Sequence, residues 1–251
     1  MQIKSINYIN FRNLKNNKLE FHPRFNLFMG KNGQGKTSIL EAIYFSITGK
    51  SFRTKHIKEL IKYDYQDAGA MINYEDRLGK KSIGIKFNGK TREYLYNKSK
   101  VKFDEFIGRV NVISFIPDDI YLILGNPSLR RTFFDYEIAQ GNEIYYKNLK
   151  YFNKILKIRN KFLKEGKSKD PLFEVYNEKF IELSVKIFSK RFEYIKKLSV
   201  LLNLNYRKLF SDKSELKIVY KSFSENIFKS EDIMKEEFIK TLDKIEKQEK
   251  L

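Results

Sequence analysis

The chain has 251 residues, enough for one or two domains with a real hydrophobic core. It contains no cysteine and no run of about 18 apolar residues, which excludes disulfides, thiolate metal sites and a membrane-spanning helix. Lys and Arg outnumber Asp and Glu by 50 to 31, a net charge of +19 that suits a polyanionic partner. Lysine supplies 39 of those 50 cations, and Ile, Asn, Phe and Tyr are abundant, a profile that an AT-rich genome produces without selection for such a partner. His22 and His56 stand far apart with no ligand spacing, and no apolar signal segment opens the chain, so a cytoplasmic protein is expected.

In chain order, residues 2–10 and 18–22 read as strands around a polar turn, and residues 25–29 as a buried apolar strand. A helix with apolar Ile39, Leu40, Ile43 and Ile47 follows and stops at Gly49. A short helical stretch runs to about Ile61, and residues 70–74, 82–87 and 91–96 alternate as strands. Asn88-Gly89 marks a hairpin between the last two. Residues 110–115 form a further apolar strand. Asn126-Pro127 sets the start of a helix that runs to Gly141. A second helix covers about 142–165, with Ile144, Leu149, Phe152, Ile155, Leu156 and Phe162 near one face. Asp170-Pro171 opens a third helix of about 30 residues. Residues 215–220 read as a strand and the last twenty as a charged helix. The boundary between a β-rich part, 1–120, and a helical part, 121–251, falls where this pattern changes.

Gly30-Lys31-Asn32-Gly33-Gln34-Gly35-Lys36-Thr37 satisfies the phosphate-loop pattern G-x-x-x-x-G-K-[ST] between a predicted strand and a helix. Glycines let backbone N–H groups close on phosphate oxygens, and the helix that follows aims its positive end at them. Lys36 can reach the β- and γ-phosphates. Thr37, or neighbouring Ser38, can place a hydroxyl on Mg²⁺. The competing reading is a glycine-rich surface turn. Residues 110–119 end in Asp118-Asp119 after an apolar run, the outline of a metal-binding acidic strand. Pro117 removes a ladder N–H just before them, so a helix start is expected there instead. Asp135 is expected to brace Arg130 or Arg131.

Several stretches together resemble the RecF, SMC and Rad50-type ATPases, and the RecF family in particular. They are Asn10-Phe11-Arg12-Asn13-Leu14, the phosphate loop with Leu40-Glu41-Ala42-Ile43, and Ser51-Phe52-Arg53. Further along are Phe115-Ile116-Pro117-Asp118-Asp119, Gly125-Asn126-Pro127, Arg130-Arg131-x-Phe133-x-Asp135, and Ile155-Leu156-Lys157 with Arg159-Asn160. The agreement runs in order over about residues 1–165.

The resemblance implies an α/β P-loop ABC-type ATPase head, a mixed sheet with an antiparallel β-subdomain, followed by a helical lobe. It implies ATP and Mg²⁺ as cofactors, an ATP-dependent homodimer, single-stranded or gapped DNA and recombination mediator proteins as partners, and recombinase loading in repair. It implies that Arg12 lies near the nucleotide, with pairing to Glu20 or Glu41 as the alternative. It implies that Arg53 lies at the dimer face or on DNA. Lys55, Arg130 and Arg131 are further candidates for that face, with solvation or fold bracing as the alternative. The family continues into an LSxGQ-type signature and an acidic strand, neither of which occurs here, so an incomplete chain is expected. Two other functions stay open: a small-molecule P-loop kinase, and a nucleotide-binding module without turnover.

Overall fold

The computed structural model describes residues 1–210, 215–222 and 230–248. The chain divides into two compact units, Met1–Asp119 and the residues from Ile120 onward.

The first unit is one six-stranded sheet with a helix on it. Its strands are β1 (Gln2–Ile9), β2 (Asn17–Glu20), β3 (Asp67–Asp76), β4 (Gly79–Asn88), β5 (Arg92–Tyr96) and β6 (Ser99–Val101). They lie in the order β2-β1-β3-β4-β5-β6, with every neighbouring pair antiparallel. Strict alternation decides which face is buried: Ala68, Ala70, Ile72 and Tyr74 on β3 and Ile83, Ile85 and Phe87 on β4 point inward. Helix α1 (Lys36–Thr48) covers that face and packs on β3 and β4. Its Phe45 is fully buried, with ring centroids 4.8 Å from Phe87 and 6.0 Å from Phe11. Removing such a ring costs about 3–5 kcal/mol. Aromatic packing therefore holds the helix that follows the phosphate loop against the sheet.

Two turns differ from the sequence expectation. The β4–β5 turn centres on Gly89-Lys90, one residue later than Asn88-Gly89. The Asn88 side chain accepts from the N–H groups of Lys90 and Thr91, so it organises the turn from the first position. The β5–β6 turn places Asn97 and Lys98 at φ 48° and 67°, the backbone that a two-residue hairpin needs. Strand β6 was not expected, because a three-residue strand is too short for an alternation signal.

Residues 25–29 and 110–115 do not form strands. Phe25 and Met29 are 72% and 81% exposed, and Ile113 and Phe115 lie open as well. An apolar run becomes a buried strand only when other strands pair with its edges, and none does so here among the described residues. Short helix α2 (Phe103–Phe106) precedes the second of these runs. A 3₁₀ turn (Pro117–Ile120) follows it, where Asp119 accepts from the Ile116 N–H at 2.9 Å. Asp118 and Asp119 thus begin a helical turn, as Pro117 dictates.

The second unit is helical: α3 (Tyr121–Leu124), α4 (Pro127–Gly141), α5 (Glu143–Lys164), α6 (Pro171–Phe210) and α7 (Glu231–Gln248). Asn142 caps α5 by accepting from the Tyr145 N–H at 2.8 Å. Ile144 falls outside the packed face of α5 and is exposed, whereas Phe152 and Phe162 pack on Phe180, Phe173 and Tyr176 of α6. Helix α6 is 40 residues long, beyond the expected 30, because no glycine or proline interrupts it. Residues 215–220 carry no strand.

Asp135 does not brace Arg130 or Arg131. It makes a two-pronged pair with Arg191 of α6, both contacts at 2.7 Å, and accepts from the Tyr145 hydroxyl. Burial, reinforced by the bond to Asp135, pushes the Tyr145 hydroxyl well above its usual range. Burial opposes the Arg191 charge, but the Asp135 hydrogen bonds and charge outweigh it and raise the guanidinium. Arg130 instead donates to the carbonyls of Leu122, Ile123 and Gly125, tying down the end of α3.

Candidate functional site

The phosphate-loop residues lie on a bend that glycine makes possible. Gly30, Gly33 and Gly35 have φ of 149°, 82° and 94°, conformations that side-chain-bearing residues rarely adopt. Gly35 is the N-cap of α1, so the helix starts at Lys36 and its first N–H groups face the loop. A Cβ on Gly35 would also lie 2.6 Å from Leu14 Cδ2.

Lys36 Nζ donates to the carbonyls of Gly30 and Lys31 at 2.7 and 2.8 Å. The ammonium therefore sits inside the loop's curve, where its third proton and its charge can meet an anion. Asn13 fastens the loop from the side: its amide donates to the Gly33 carbonyl at 2.8 Å and its oxygen accepts from Ser38 Oγ at 3.0 Å. That contact engages Ser38 in a structural bond. Thr37 lines the neighbouring open cavity of about 930 Å³, together with Arg12, Asn32, Lys36, Arg53 and Lys62. Thr37 is thus the hydroxyl better placed to reach a metal held beside phosphates. Among the described residues no cluster of three His, Cys, Asp or Glu side chains forms a protein-only metal site.

Arg12 takes up the pairing with Glu41, one of the two acids the sequence offered it. It borders the cavity, and its guanidinium makes a forked pair with Glu41, Nε to Oε2 at 3.0 Å and Nη2 to Oε1 at 2.7 Å. Glu20 instead pairs with Lys18. Glu41 is fully buried on α1, one turn past Lys36, and also accepts from Ser51 Oγ at 2.5 Å and Arg53 Nη1 at 3.4 Å. Arg53 therefore lies at the phosphate-loop cavity, attached to Glu41. Ser51 Oγ in turn accepts from the N–H groups of Arg53 and Thr54, which anchors this segment beside the loop. Lys55 is exposed outside the cavity, and Arg131 is exposed in the helical unit.

Sequence reading did not single out Asn13 or Glu41 as parts of the site. Their signals were present in the motif stretches Asn10–Leu14 and Leu40–Ile43, but the hydrogen bonds that give them roles span 20 and 29 residues of chain. Taken together, the geometry offers a glycine bend at a helix N-terminus with the Lys36 ammonium inside it and the Thr37 hydroxyl beside it, the equipment for binding a polyphosphate.

Known proteins resemble this chain over most of its length. The family profile described as RecF/RecN/SMC N terminal domain matches residues 2–117. The chain is 36% identical over 222 residues to the DNA replication and repair protein RecF of Alkaliphilus oremlandii (strain OhILAs). It is 38% identical over 224 residues to that of Clostridium botulinum (strain Loch Maree / Type A3). Each match covers 88% of this chain and 61% of the relative, so the chain spans less than two thirds of these curated proteins. A solved structure of the recombination mediator protein RecF with ATP, from the RecFOR pathway, matches with a TM-score of 0.84 at 30% identity. That match covers 96% of this chain and 67% of the other. No helix among the described residues is long and apolar enough to cross a membrane.

Proposed function

The chain belongs to the RecF family, and on that premise we propose that it binds ATP with Mg²⁺ on residues 30–37 and serves DNA replication and recombinational repair. The observation that carries the reading is Lys36 held at 2.7 and 2.8 Å by two loop carbonyls, inside a bend of three positive-φ glycines, at the head of α1. In this reading the loop N–H groups and Lys36 neutralise the phosphates and Thr37 supplies one oxygen to Mg²⁺. Lys31, Asn32 and Gln34 contribute main-chain groups, and Ser38 positions Asn13. Arg12 meets the nucleotide from the Glu41 side of the cavity.

The same premise leads to an ATP-dependent homodimer that engages single-stranded or gapped DNA and works with recombination mediators to load recombinase. Arg53 fits a role at the nucleotide better than one on a DNA face, since it shares Glu41 with Arg12. The small-molecule kinase reading gains no support from the antiparallel sheet and long helices. A nucleotide-binding module without turnover is the second reading, and one observation favours it. Glu41, the buried acid nearest the loop, is held by two arginines and a serine, so it is not available to orient a water.

Titration calorimetry with a non-hydrolysable ATP analogue, with and without Mg²⁺, tests the proposal. Saturable binding that Mg²⁺ strengthens supports it, and absence of heat at any analogue concentration contradicts it. Phosphate release measured with DNA present separates turnover from simple binding.

A further inference from the structure

Helix α5 carries lysines at 147, 150, 154, 157, 161 and 164, a spacing of alternately three and four residues. At about 100° per residue these six fall within an arc of about 100°, and the row is about 25 Å long. All six are exposed. No acid occurs between Glu143 and Glu165. Two members of the row pair with the acids that flank it, Lys147 with Glu143 at 2.6 Å and Lys161 with Glu165 at 3.7 Å. Lys154, Lys157 and Lys164 have no ion pair with an acid among the described residues.

Composition can raise the number of lysines but cannot set their phase. The helix's one arginine behaves differently from its lysines. Arg159 turns inward, donates to Asn177 at 2.8 Å and lies over the rings of Phe173 and Phe180. Helix α6 supplies the internal contrast, because four of its six lysines are held by acids of the same helix. Glu182 holds Lys179 and Lys186, and Glu193 holds Lys190 and Lys197, all within 2.8 Å. Among the described helices, α5 alone leaves a cationic ridge without interleaved acid. Along it stand exposed Tyr151, Asn153 and Asn160, side chains able to hydrogen-bond sugar and phosphate.

We propose that the outward lysine row of α5 is a docking surface for the phosphodiester backbone of nucleic acid, read by charge and not by base. A straight ridge of cations complements a linear polyanion, and the absence of an apolar strip on this face argues against an amphipathic membrane contact. The proposal locates the DNA contact of the function proposed above and rests on that reading.

The test is the salt dependence of binding of the full chain to a 30-base-pair duplex and to the matching single strand. The central variant is Lys154→Gln/Lys157→Gln/Lys164→Gln. The control, Lys186→Gln/Lys190→Gln/Lys197→Gln on α6, removes the same charge. With about 0.9 counterions released per phosphate contact on duplex, the α5 variant should flatten the log–log salt slope by about 2.7, and by about 2.1 on single strand. The α6 control should leave the slope within about 0.5 of the parent, and Lys→Arg replacement at the α5 positions should restore it. The probe that loses more affinity identifies the form of nucleic acid. Equal slope changes in both triple variants would overturn the proposal in favour of diffuse net charge. Parent binding to DNA with an unaltered slope in the α5 variant overturns the docking surface while leaving DNA association standing. Parent binding to phosphatidylserine vesicles but to neither DNA probe overturns both.

Discussion

Glu41→Gln is the most informative single substitution in the first unit. The carboxylate is fully buried and the Arg12 side chain is only 16% exposed, so the pair is largely shielded from solvent. Glutamine keeps the shape but removes the charge and turns one acceptor into a donor facing two guanidinium groups. Breaking a buried pair by removing one partner costs about 3–5 kcal/mol, and the cavity side of Arg12 sets the expectation at the low end, about 3 kcal/mol. Unfolding entropy of about 2.1 cal/mol/K per residue over a 119-residue unit is about 0.25 kcal/mol/K, so the first unit's Tm should fall by about 12 °C. Thermal melts followed by circular dichroism give the shift, and a cycle with Arg12→Met and Glu41→Leu isolates the pair. The double variant should recover most of the loss, because two apolar side chains leave no charge stranded. A Glu41→Gln shift under 2 °C, or strictly additive single losses, would refute the reasoning and make this contact an incidental surface pair.

Further expectations follow from the same geometry. Gly35→Ala combines φ of 94° with a 2.6 Å approach to Leu14 and should cost about 1–3 kcal/mol in urea melts, more than Gly33→Ala, whose Cβ would meet nothing within 4 Å. Asp135→Asn strands the Arg191 charge beside Tyr145 in the helical unit and should lose about 3 kcal/mol there; an unchanged denaturant midpoint would contradict that. The pH dependence of α6 has a definite sign. Glu182 and Glu193 are pulled from 4.5 down to about 2 by hydrogen bonds from their flanking lysines. Their stabilisation is therefore complete above about pH 4.5 and disappears as pH falls toward 2, and the Glu182→Gln/Glu193→Gln variant should show a smaller acid-induced loss of helicity over that window. The effect is modest because both groups are solvent-exposed.

How much of the fold was legible depended on whether a constraint was local. The phosphate loop could be read because its demands fall on the backbone, and Gly30, Gly33 and Gly35 state them residue by residue. Strands β1, β3, β4 and β5 could be read because alternation at Ala68, Ala70, Ile72 and Tyr74 reports a half-buried sheet. Residues 25–29 misled because apolarity says that a segment seeks cover without saying what lies beside it. The partners of Arg12 and Asp135 are set by tertiary approach. Glu41 was one of two acids considered for Arg12, whereas Arg191 lies 56 residues from Asp135 with nothing in either neighbourhood to point to the other. The lysine row of α5 went unread in the sequence, because its meaning needed the structure. Only packing reveals that Arg159 turns inward, and only the ion pairs of α6 reveal that Lys179, Lys186, Lys190 and Lys197 are already committed.

The central claim is that the loop of residues 30–37 grips a nucleotide's phosphates through Lys36 and main-chain N–H groups. Calorimetric titration of ATP analogue and Mg²⁺ into the parent chain and Lys36→Ala tests it most directly. Because the Lys36 contacts to the Gly30 and Lys31 carbonyls are solvent-exposed, the variant should keep the parent's melting temperature within about 2 °C while its affinity falls at least about tenfold, the loss of one charge-assisted contact. Equal affinity in the two proteins, with both folded, would contradict the account.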